Sequence, residues 1–205
     1  MVDSKVPQPM RPHGFWGGVF GWFMDRRNAR AQEFALQRLD VHKTDTILEI
    51  GFGTGRLVRK LAKAAREGFV CGVDPSELML RTAEKRTKKF RKKGLVELKL
   101  GDASALPWPD SHFDKAAALH CFHFWTDPVH DIAEVRRVLK PGGLLLLILR
   151  VHKKAGPKWL PNPISRSVQE IVGAFEWLAN SGFGETRIEG TAGSSPVLTA
   201  RKMGQ

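Results

Sequence analysis

The residues with the clearest chemistry in this 205-residue sequence are three glycines and an acid. Gly51, Gly53 and Gly55 occupy every second position in the stretch DTILEIGFGTGRL, directly after an apolar run. Glycine permits a tight turn and the close approach of a ligand, and the N–H groups of a following helix can bind an anion. Asp74 stands nineteen positions after Gly55, where its carboxylate can accept hydrogen bonds from both hydroxyls of a ribose. The alternative is that Asp74 caps the helix that begins near Ser76.

The spacing of the glycines separates two kinds of nucleotide site. The dinucleotide-binding fingerprint is G-x-G-x-x-G, and this chain has Arg56 where the last glycine would stand. The sequence contains no tyrosine, so no tyrosine can act as a catalytic base. Both observations count against a nicotinamide-dependent oxidoreductase.

The elements that must hold the glycine loop alternate between strand and helix patterns. Ligands of open α/β sheets bind beyond the carboxyl ends of the strands, which is where this loop lies. The predicted strands are 46–50, 69–73, 96–100, 115–119, 144–151, 185–189 and 195–201, and the predicted helices are 54–67, 76–93, 128–139 and 168–181, with a further helix from residue 26. This alternation predicts an α/β, Rossmann-like fold with a seven-stranded, mostly parallel sheet and helices on both faces.

Four short segments form a further pattern along the chain. They are LEIGFGTG (48–55), VDPS (73–76), GDASALPWPDSHFD (101–114) and RVLKPGGLLLL (137–147). In this order and spacing they resemble the class I S-adenosylmethionine-dependent methyltransferases. The similarity is greatest to the branch that includes ubiquinone/menaquinone C-methyltransferases and small phospholipid N-methyltransferases. The resemblance implies S-adenosyl-L-methionine as cofactor and S-adenosyl-L-homocysteine as product, and it says little about the methyl acceptor.

The resemblance also implies roles for individual residues. In that family the glycine loop lies against the methionine part of the cofactor, and the acid at the position of Glu49 helps to hold that end. Asp74, followed by Pro75, would bind the ribose, and Asp102 with Ala103 would contact the adenine amino group. The alternatives are that Glu49 is a polar residue at a strand end and Asp102 a turn former.

The segment LHCFHFWTDP (119–128) follows the fourth predicted strand, and in the family this segment passes beside the transferred methyl group. Methyl transfer from a sulfonium requires mainly positioning, and aromatic ring faces attract the cation. His123 is the first candidate for a general base and His120 the second, with His120 also a candidate cofactor contact. Phe124 and Trp125 would line the acceptor site. The alternative is that one histidine is a core group and the aromatics are packing.

Residues 1–40 are predicted to form a loose Pro-rich start and an aromatic helical lid. In related enzymes the residues before the first strand cover the cofactor and acceptor, and Trp16, Phe20 and Phe23 would do so here. Trp159 would supply the opposite wall. An interfacial membrane segment and an ordinary packed helix are the alternatives. The methyltransferase domain is predicted at 41–205.

The net charge and the composition limit which kinds of partner the protein is expected to have. The net charge of +12 favours an anionic partner, and the run 81–94 holds eight Lys and Arg with one acid. That run is either a solvated helix face or a contact for anionic lipid or RNA. Cys71 and Cys121 lie in apolar contexts typical of buried thiols in a reducing compartment. The sequence predicts a cytoplasmic protein, with peripheral attachment to an anionic membrane left open, and no metal site.

These observations favour methyl transfer to a small apolar molecule or a lipid head group, with a phospholipid amine favoured. The alternative is a soluble C-, N- or O-methyltransferase of a quinone-like molecule or natural product. An RNA methyltransferase is less favoured, because HCFHFW stands where an Asn-Pro-Pro-aromatic motif would support base methylation. A non-catalytic binding protein is disfavoured by the intact Glu49, Asp74 and Asp102.

Overall fold

The computed structural model describes residues 28–150, 168–192 and 195–204, which form seven strands, five α-helices and a short 3-10 helix at Phe122–Phe124. The strands are β1 (Thr46–Ile50), β2 (Phe69–Asp74), β3 (Val96–Leu100), β4 (Phe113–Leu119), β5 (Leu139–Ile148), β6 (Phe183–Ala192) and β7 (Ser195–Lys202). The helices are α1 (Ala29–Leu39), α2 (Arg56–Ala64), α3 (Glu77–Arg91), α4 (Pro128–Val138) and α5 (Val168–Asn180).

The strands form one sheet in the order β3-β2-β1-β4-β5-β7-β6. Strands β1 to β5 pair in parallel, and β7 is antiparallel to both β5 and β6. The predicted Rossmann-like, seven-stranded and mostly parallel sheet is confirmed. The order reverses direction between β1 and β4, so the carboxyl ends of these two strands border the crevice in which such folds bind ligands.

Alternate residues of the strands divide the core between the two faces of the sheet. Ile47 packs in one apolar cluster with buried residues of α1, α2 and α3, such as Ala35 and Leu61. Its neighbour Leu48 packs in a second cluster with buried residues of α4 and α5, such as Ile132. This period of two is the expected pattern of a sheet buried on both faces.

Several boundaries differ from the predicted ones by a few residues, and two of these differences have a local reason. Helix α2 begins at Arg56 rather than at residue 54, because Gly55 adopts a left-handed conformation with φ of +74°. Strand β5 begins at Leu139, five residues earlier than predicted. Phe113 pairs with Leu139 but Lys115 pairs with Leu144, so the Pro-Gly-Gly segment is accommodated as a bulge inside the strand.

The predicted N-terminal segment is described only from residue 28. Its described helix, α1, buries Ala31, Ala35 and Leu39 against the sheet. Residues 1–27, which include Trp16, Phe20 and Phe23, lie outside the described residues, as does Trp159. The domain boundary at residue 40 stays a prediction.

Candidate functional site

The glycine loop lies at the carboxyl end of β1, and each glycine has a left-handed backbone. The φ angles of Gly51, Gly53 and Gly55 are +70°, +52° and +74°. A Cβ atom on Gly51 would lie 2.7 Å from Cβ of Cys121, and one on Gly55 would lie 2.6 Å from Cβ of Ala83. A Cβ atom on Gly53 would meet no described atom within 4 Å. The outer two glycines therefore allow close packing, and the middle one borders open space.

Asp74 joins the glycine loop to the end of β2. Its Oδ2 atom accepts a hydrogen bond from the N–H of Gly53 at 2.8 Å, and its Oδ1 atom accepts one from the N–H of Ser76 at 2.9 Å. The side-chain oxygen of Ser76 accepts from the N–H of Met79, so Ser76 is the N-cap of α3. Asp74 is therefore not that cap. Each carboxylate oxygen can accept a second hydrogen bond from a ligand.

Burial dominates the electrostatics of Asp74. The residue is 6% exposed, and burial raises the pKa of its carboxyl to about 6, while the two backbone hydrogen bonds act in the opposite direction. Glu49, in β1, is 4% exposed. Burial raises the pKa of the Cys121 thiol above its usual range, and the charges of Asp74 and Glu49 raise it further. Two buried acids thus lie near one thiol, and their combined field favours a cationic ligand.

The segment after β4 is turned by an unusual backbone conformation at His120. Its φ is +54°, and its N–H donates to the carbonyl of Ile148 at 2.8 Å. The turn brings Cys121 onto Gly51, with Sγ of Cys121 3.1 Å from the carbonyl oxygen of Ile50. Non-glycine residues adopt this conformation only where the surroundings enforce it, and such positions concentrate at functional sites.

The aromatic residues of this segment divide between core and site. Trp125 is buried, its ring centroid lies 4.9 Å from that of Phe122, and a hydrogen bond from Trp125 to Cys121 lowers the pKa of the thiol. The packing alternative therefore describes Trp125. His123 and Phe124 are half-buried, with ring centroids 4.0 Å apart. The structure thus brings His120 and His123 to the same end of the sheet as the glycine loop.

Asp102 and Ala103 follow β3 at that same end. Asp102 is exposed, and its Oδ1 atom accepts from the N–H of Ser104 at 3.0 Å and from its hydroxyl at 2.6 Å. Ala103 is buried in the core. Asp102 therefore does form a turn with its Oδ1 atom. Its Oδ2 atom takes part in none of the described hydrogen bonds and can accept one from a ligand.

Arg137 of α4 fixes the β3–β4 loop that carries Asp102, and it is not among the site residues predicted from the sequence. Its guanidinium donates to the carbonyl oxygens of Leu106 and Trp108, each at 2.9 Å. The same group pairs with Glu134 and Asp110, each at 2.8 Å. The resemblance of the RVLKPGG segment placed Arg137 in a motif, but only the fold shows which loop it holds.

Asp131 is a second residue that sequence reasoning missed. It lies on α4, it is 3% exposed, and its Oδ1 atom has no hydrogen-bond partner among the described residues, although Nδ1 of His130 lies 3.6 Å away. Burial raises the pKa of Asp131, and the charge of Asp102 raises it further. A signal was present in the sequence, because Asp131 shares the helical spacing of the apolar residues Val135 and Val138.

Helix α3 holds the glycine loop from the other face. Arg86 donates a hydrogen bond to the hydroxyl of Thr54, and Ala83 packs against Gly55.

Within the described ranges no group of three or more His, Cys, Asp or Glu residues could hold a metal ion. No described helix is long and apolar enough to cross a membrane.

Comparison with known proteins supplies the context for this geometry. A family model described as a methyltransferase domain matches residues 48–147. The uncharacterized methyltransferase YdaC of Bacillus subtilis is 33% identical over 125 residues, which are 61% of this chain and 67% of YdaC. The ubiquinone/menaquinone biosynthesis C-methyltransferase UbiE of Bordetella avium is 37% identical over 130 residues, which are 62% of this chain and 50% of UbiE.

The fold has a close counterpart among solved structures. The crystal structure of a SAM dependent methyltransferase from Aquifex aeolicus superimposes with a TM-score of 0.69 at 24% identity, covering 84% of this chain and 89% of the other. The aligned segment spans two thirds of YdaC but only half of UbiE.

Proposed function

Because this chain belongs to the class I S-adenosylmethionine-dependent methyltransferases, we propose that its glycine loop and the acids near the carboxyl ends of β1, β2 and β3 hold S-adenosyl-L-methionine. When bound, this cofactor supplies a methyl group on a sulfonium, and S-adenosyl-L-homocysteine is the product. The proposed contacts are Glu49, Gly51, Gly53, Gly55, Asp74, Pro75, Asp102, Ala103 and His120.

The arrangement of Asp74 and Gly53 is the observation that carries this assignment. The carboxylate of Asp74 is buried, fixed by two backbone N–H groups, and adjacent to the open space beside Gly53. A buried carboxylate with free acceptor capacity matches the paired hydroxyls of a ribose. The negative field of Glu49 and Asp74 matches the positive charge of the methionine end. The residues present thus fit the cofactor.

We further propose that the acceptor is a small apolar molecule or a lipid head group, with a phospholipid amine favoured. His123 is the proposed general base and His120 the second candidate, since each can remove a proton from the acceptor atom. The half-buried ring of Phe124 beside His123 supports an apolar acceptor. The net charge of +12 supports an acceptor that is held at an anionic surface.

A quinone-like acceptor is the second candidate. It is favoured by the 37% identity to UbiE, whose name assigns it to ubiquinone and menaquinone biosynthesis. Both candidates place the acceptor in or near a membrane, because both kinds of molecule are lipid-soluble.

Calorimetric titration with S-adenosyl-L-homocysteine tests the cofactor site. Replacing Asp74 by Ala should weaken binding about a hundredfold or more, because charged hydrogen bonds to two hydroxyls are lost. Glu67→Ala is the matched control, since it removes an exposed acid from the turn before β2, at the opposite end of the sheet from the site. Equal affinity of the Asp74→Ala variant and the control would refute the ribose assignment.

The acceptor is tested with radiolabelled S-adenosyl-L-methionine. Vesicles that contain phosphatidylethanolamine and vesicles that contain a demethylated quinone are offered separately. Label in the phospholipid supports the favoured acceptor, and label in the quinone supports the second candidate. Loss of transfer in His123→Ala, with unchanged cofactor affinity, is the result expected for a general base.

A further inference from the structure

The fold joins two basic stretches that are separate in the sequence. Helices α2 and α3 lie on the same face of the sheet, where they share one apolar cluster and meet at Gly55 and Ala83. Residues 56–93 carry thirteen Lys and Arg against four Asp and Glu, a net charge of +9 out of +12 for the chain. We call the outer surface of α2 and α3, with the turn that follows each helix, the basic face.

Most cations of the basic face have no internal partner. Four of its cations form ion pairs, Lys60 with Glu33, Arg66 with Glu67, Arg81 with Glu77 and Arg91 with Glu84. Seven further cations are exposed and form no ion pair with any described residue. They are Arg59, Lys63, Lys85, Lys88, Lys89, Lys92 and Lys93.

The helices on the opposite face have the opposite charge. Residues 127–138, at α4, carry three acids and two arginines, and α5 carries Glu170 and Glu176 with no Lys or Arg. Both arginines of α4 are engaged within the fold, Arg136 with the carbonyl of Gly182 and Arg137 with the β3–β4 loop. Among the described helices, the positive charge is therefore concentrated on one face of the sheet.

We propose that the basic face docks this enzyme on an anionic membrane surface, from which the acceptor is drawn. The withdrawal of the acceptor from the membrane rests on the proposed function. Docking on the membrane can be measured without turnover. Each Lys or Arg near an anionic bilayer contributes separately to binding, so seven unpaired cations on one surface suffice for stable attachment.

The chemistry of the basic face favours a membrane over RNA. Six of its seven unpaired cations are lysines, which are hydrated point charges rather than the planar groups that stack on bases. RNA recognition uses exposed aromatic rings, and Phe90, which stands within the basic run, is partly buried against the core. A lipid surface needs only the charge.

The orientation is compatible with turnover. Helix α3 begins beside Asp74 at the carboxyl end of β2 and ends before β3, so its lysine-rich end lies away from the glycine loop. Docking through this side of the molecule therefore leaves the carboxyl ends of β1 and β4 uncovered.

Co-sedimentation of the full chain with vesicles tests the proposal. The probe is a vesicle of phosphatidylcholine with about 30 mol% phosphatidylglycerol, chosen to match the surface charge of anionic membranes. The triple variant Lys88→Gln/Lys89→Gln/Lys92→Gln should bind about a hundredfold more weakly. The control variant Lys140→Gln/Arg187→Gln/Arg201→Gln lowers the net charge equally and removes cations away from the basic face. It should bind like the unmodified protein.

Several outcomes would overturn the proposal. Equal losses in the two variants would show that net charge, not the basic face, governs binding. Binding to neutral phosphatidylcholine as strong as to the anionic vesicles would exclude an electrostatic surface. Failure to bind vesicles, with tight binding of a duplex RNA that the triple variant loses, would assign the face to nucleic acid. Titration of each variant with S-adenosyl-L-homocysteine reports the cofactor site separately, so a failure of the proposed function is distinguishable.

Discussion

The two faces of the sheet use their charged residues in opposite ways. On the basic face, seven cations point into water and form no ion pair with the described residues. On the face covered by α4 and α5, the charges of α4 turn into the fold, where Arg137 holds the β3–β4 loop and Asp131 is buried. Charge beside the site therefore serves to position it, and charge on the basic face is left for a partner.

The contact between α2 and α3 gives the largest expected effect on stability. Gly55→Ala would place a methyl group 2.6 Å from Cβ of Ala83 at a φ of +74°. We expect unfolding in urea to require about 2–4 kcal/mol less free energy, because overpacking and left-handed strain add. Gly94→Ala is the matched control, since its φ is +70° but its Cβ would meet nothing within 4 Å. That control should lose about 1 kcal/mol, and equal losses in both variants would exclude a tight helix contact.

Removal of the Arg137 guanidinium tests whether the charges of α4 are structural. Arg137→Ala should destabilise the protein by about 2–3 kcal/mol, because two carbonyl groups and Glu134 lose a charged partner. On the basic face, Arg81→Ala breaks an exposed pair with Glu77 and should cost about 0.5 kcal/mol or less. Urea unfolding measures both. The comparison of the two faces fails if the two losses are similar.

The acidity of Asp74 predicts a pH dependence of cofactor binding. Hydroxyl donors favour the ionised carboxylate, so affinity for S-adenosyl-L-homocysteine should be constant above a pH of about 6 and fall below it. The fall should approach tenfold per pH unit, or about 1.4 kcal/mol. The stability of the free protein changes with pH in the opposite direction. The raised pKa of Asp74 contributes stability at low pH, and this contribution is lost as the pH rises through about 6. Calorimetric titration with S-adenosyl-L-homocysteine between about pH 5 and pH 8 measures the effect, with Asp74→Asn as the control. An affinity that does not change with pH in either protein would contradict the prediction.

Neutralising Asp131 should give the smallest effect. Because burial raises its pKa, the folded protein loses stability as pH rises through that raised value. Asp131→Asn removes this loss, so the melting temperature should rise by about 2–4 °C at pH 8 (about 1 kcal/mol for a protein of this size) and by less in acid. Asp127→Asn controls for the N-cap nearby, whose side chain accepts from the N–H of His130. Equal shifts at both pH values would show that ionisation of Asp131 is not responsible.

The sequence predicted the fold well because its signals are local. Apolar runs and glycine or proline boundaries placed every described strand, and the alternation of strands and helices indicated a mostly parallel sheet, but it did not give the order of the strands. The start of β5 was predicted late because a Pro-Gly-Gly segment usually ends an element. Here it forms a bulge opposite residues 113–115. A bulge depends on the partner strand, which a local pattern does not report.

The site was predicted in part for the same reason. The glycine loop and Asp74 are close in sequence, so their spacing alone predicted a nucleotide site. Whether Asp74 caps helix α3 could be decided only from the hydrogen bonds of Asp74 and Ser76. The contact of Cys121 with Gly51 and the hold of Arg137 on residues 106–110 join segments far apart in the chain. Such contacts arise from tertiary packing and leave no periodic trace.

The position of β7 has a consequence for synthesis of the protein. Of the seven described strands this one is synthesised last, yet it lies between β5 and β6 and pairs with both. A nascent chain that has not yet released residues 195–202 from the ribosome exposes an unpaired edge of β5, and β6 has no partner in the sheet. Exposed strand edges pair readily with other chains, so we expect the nascent protein to be prone to aggregation until β7 emerges from the ribosome.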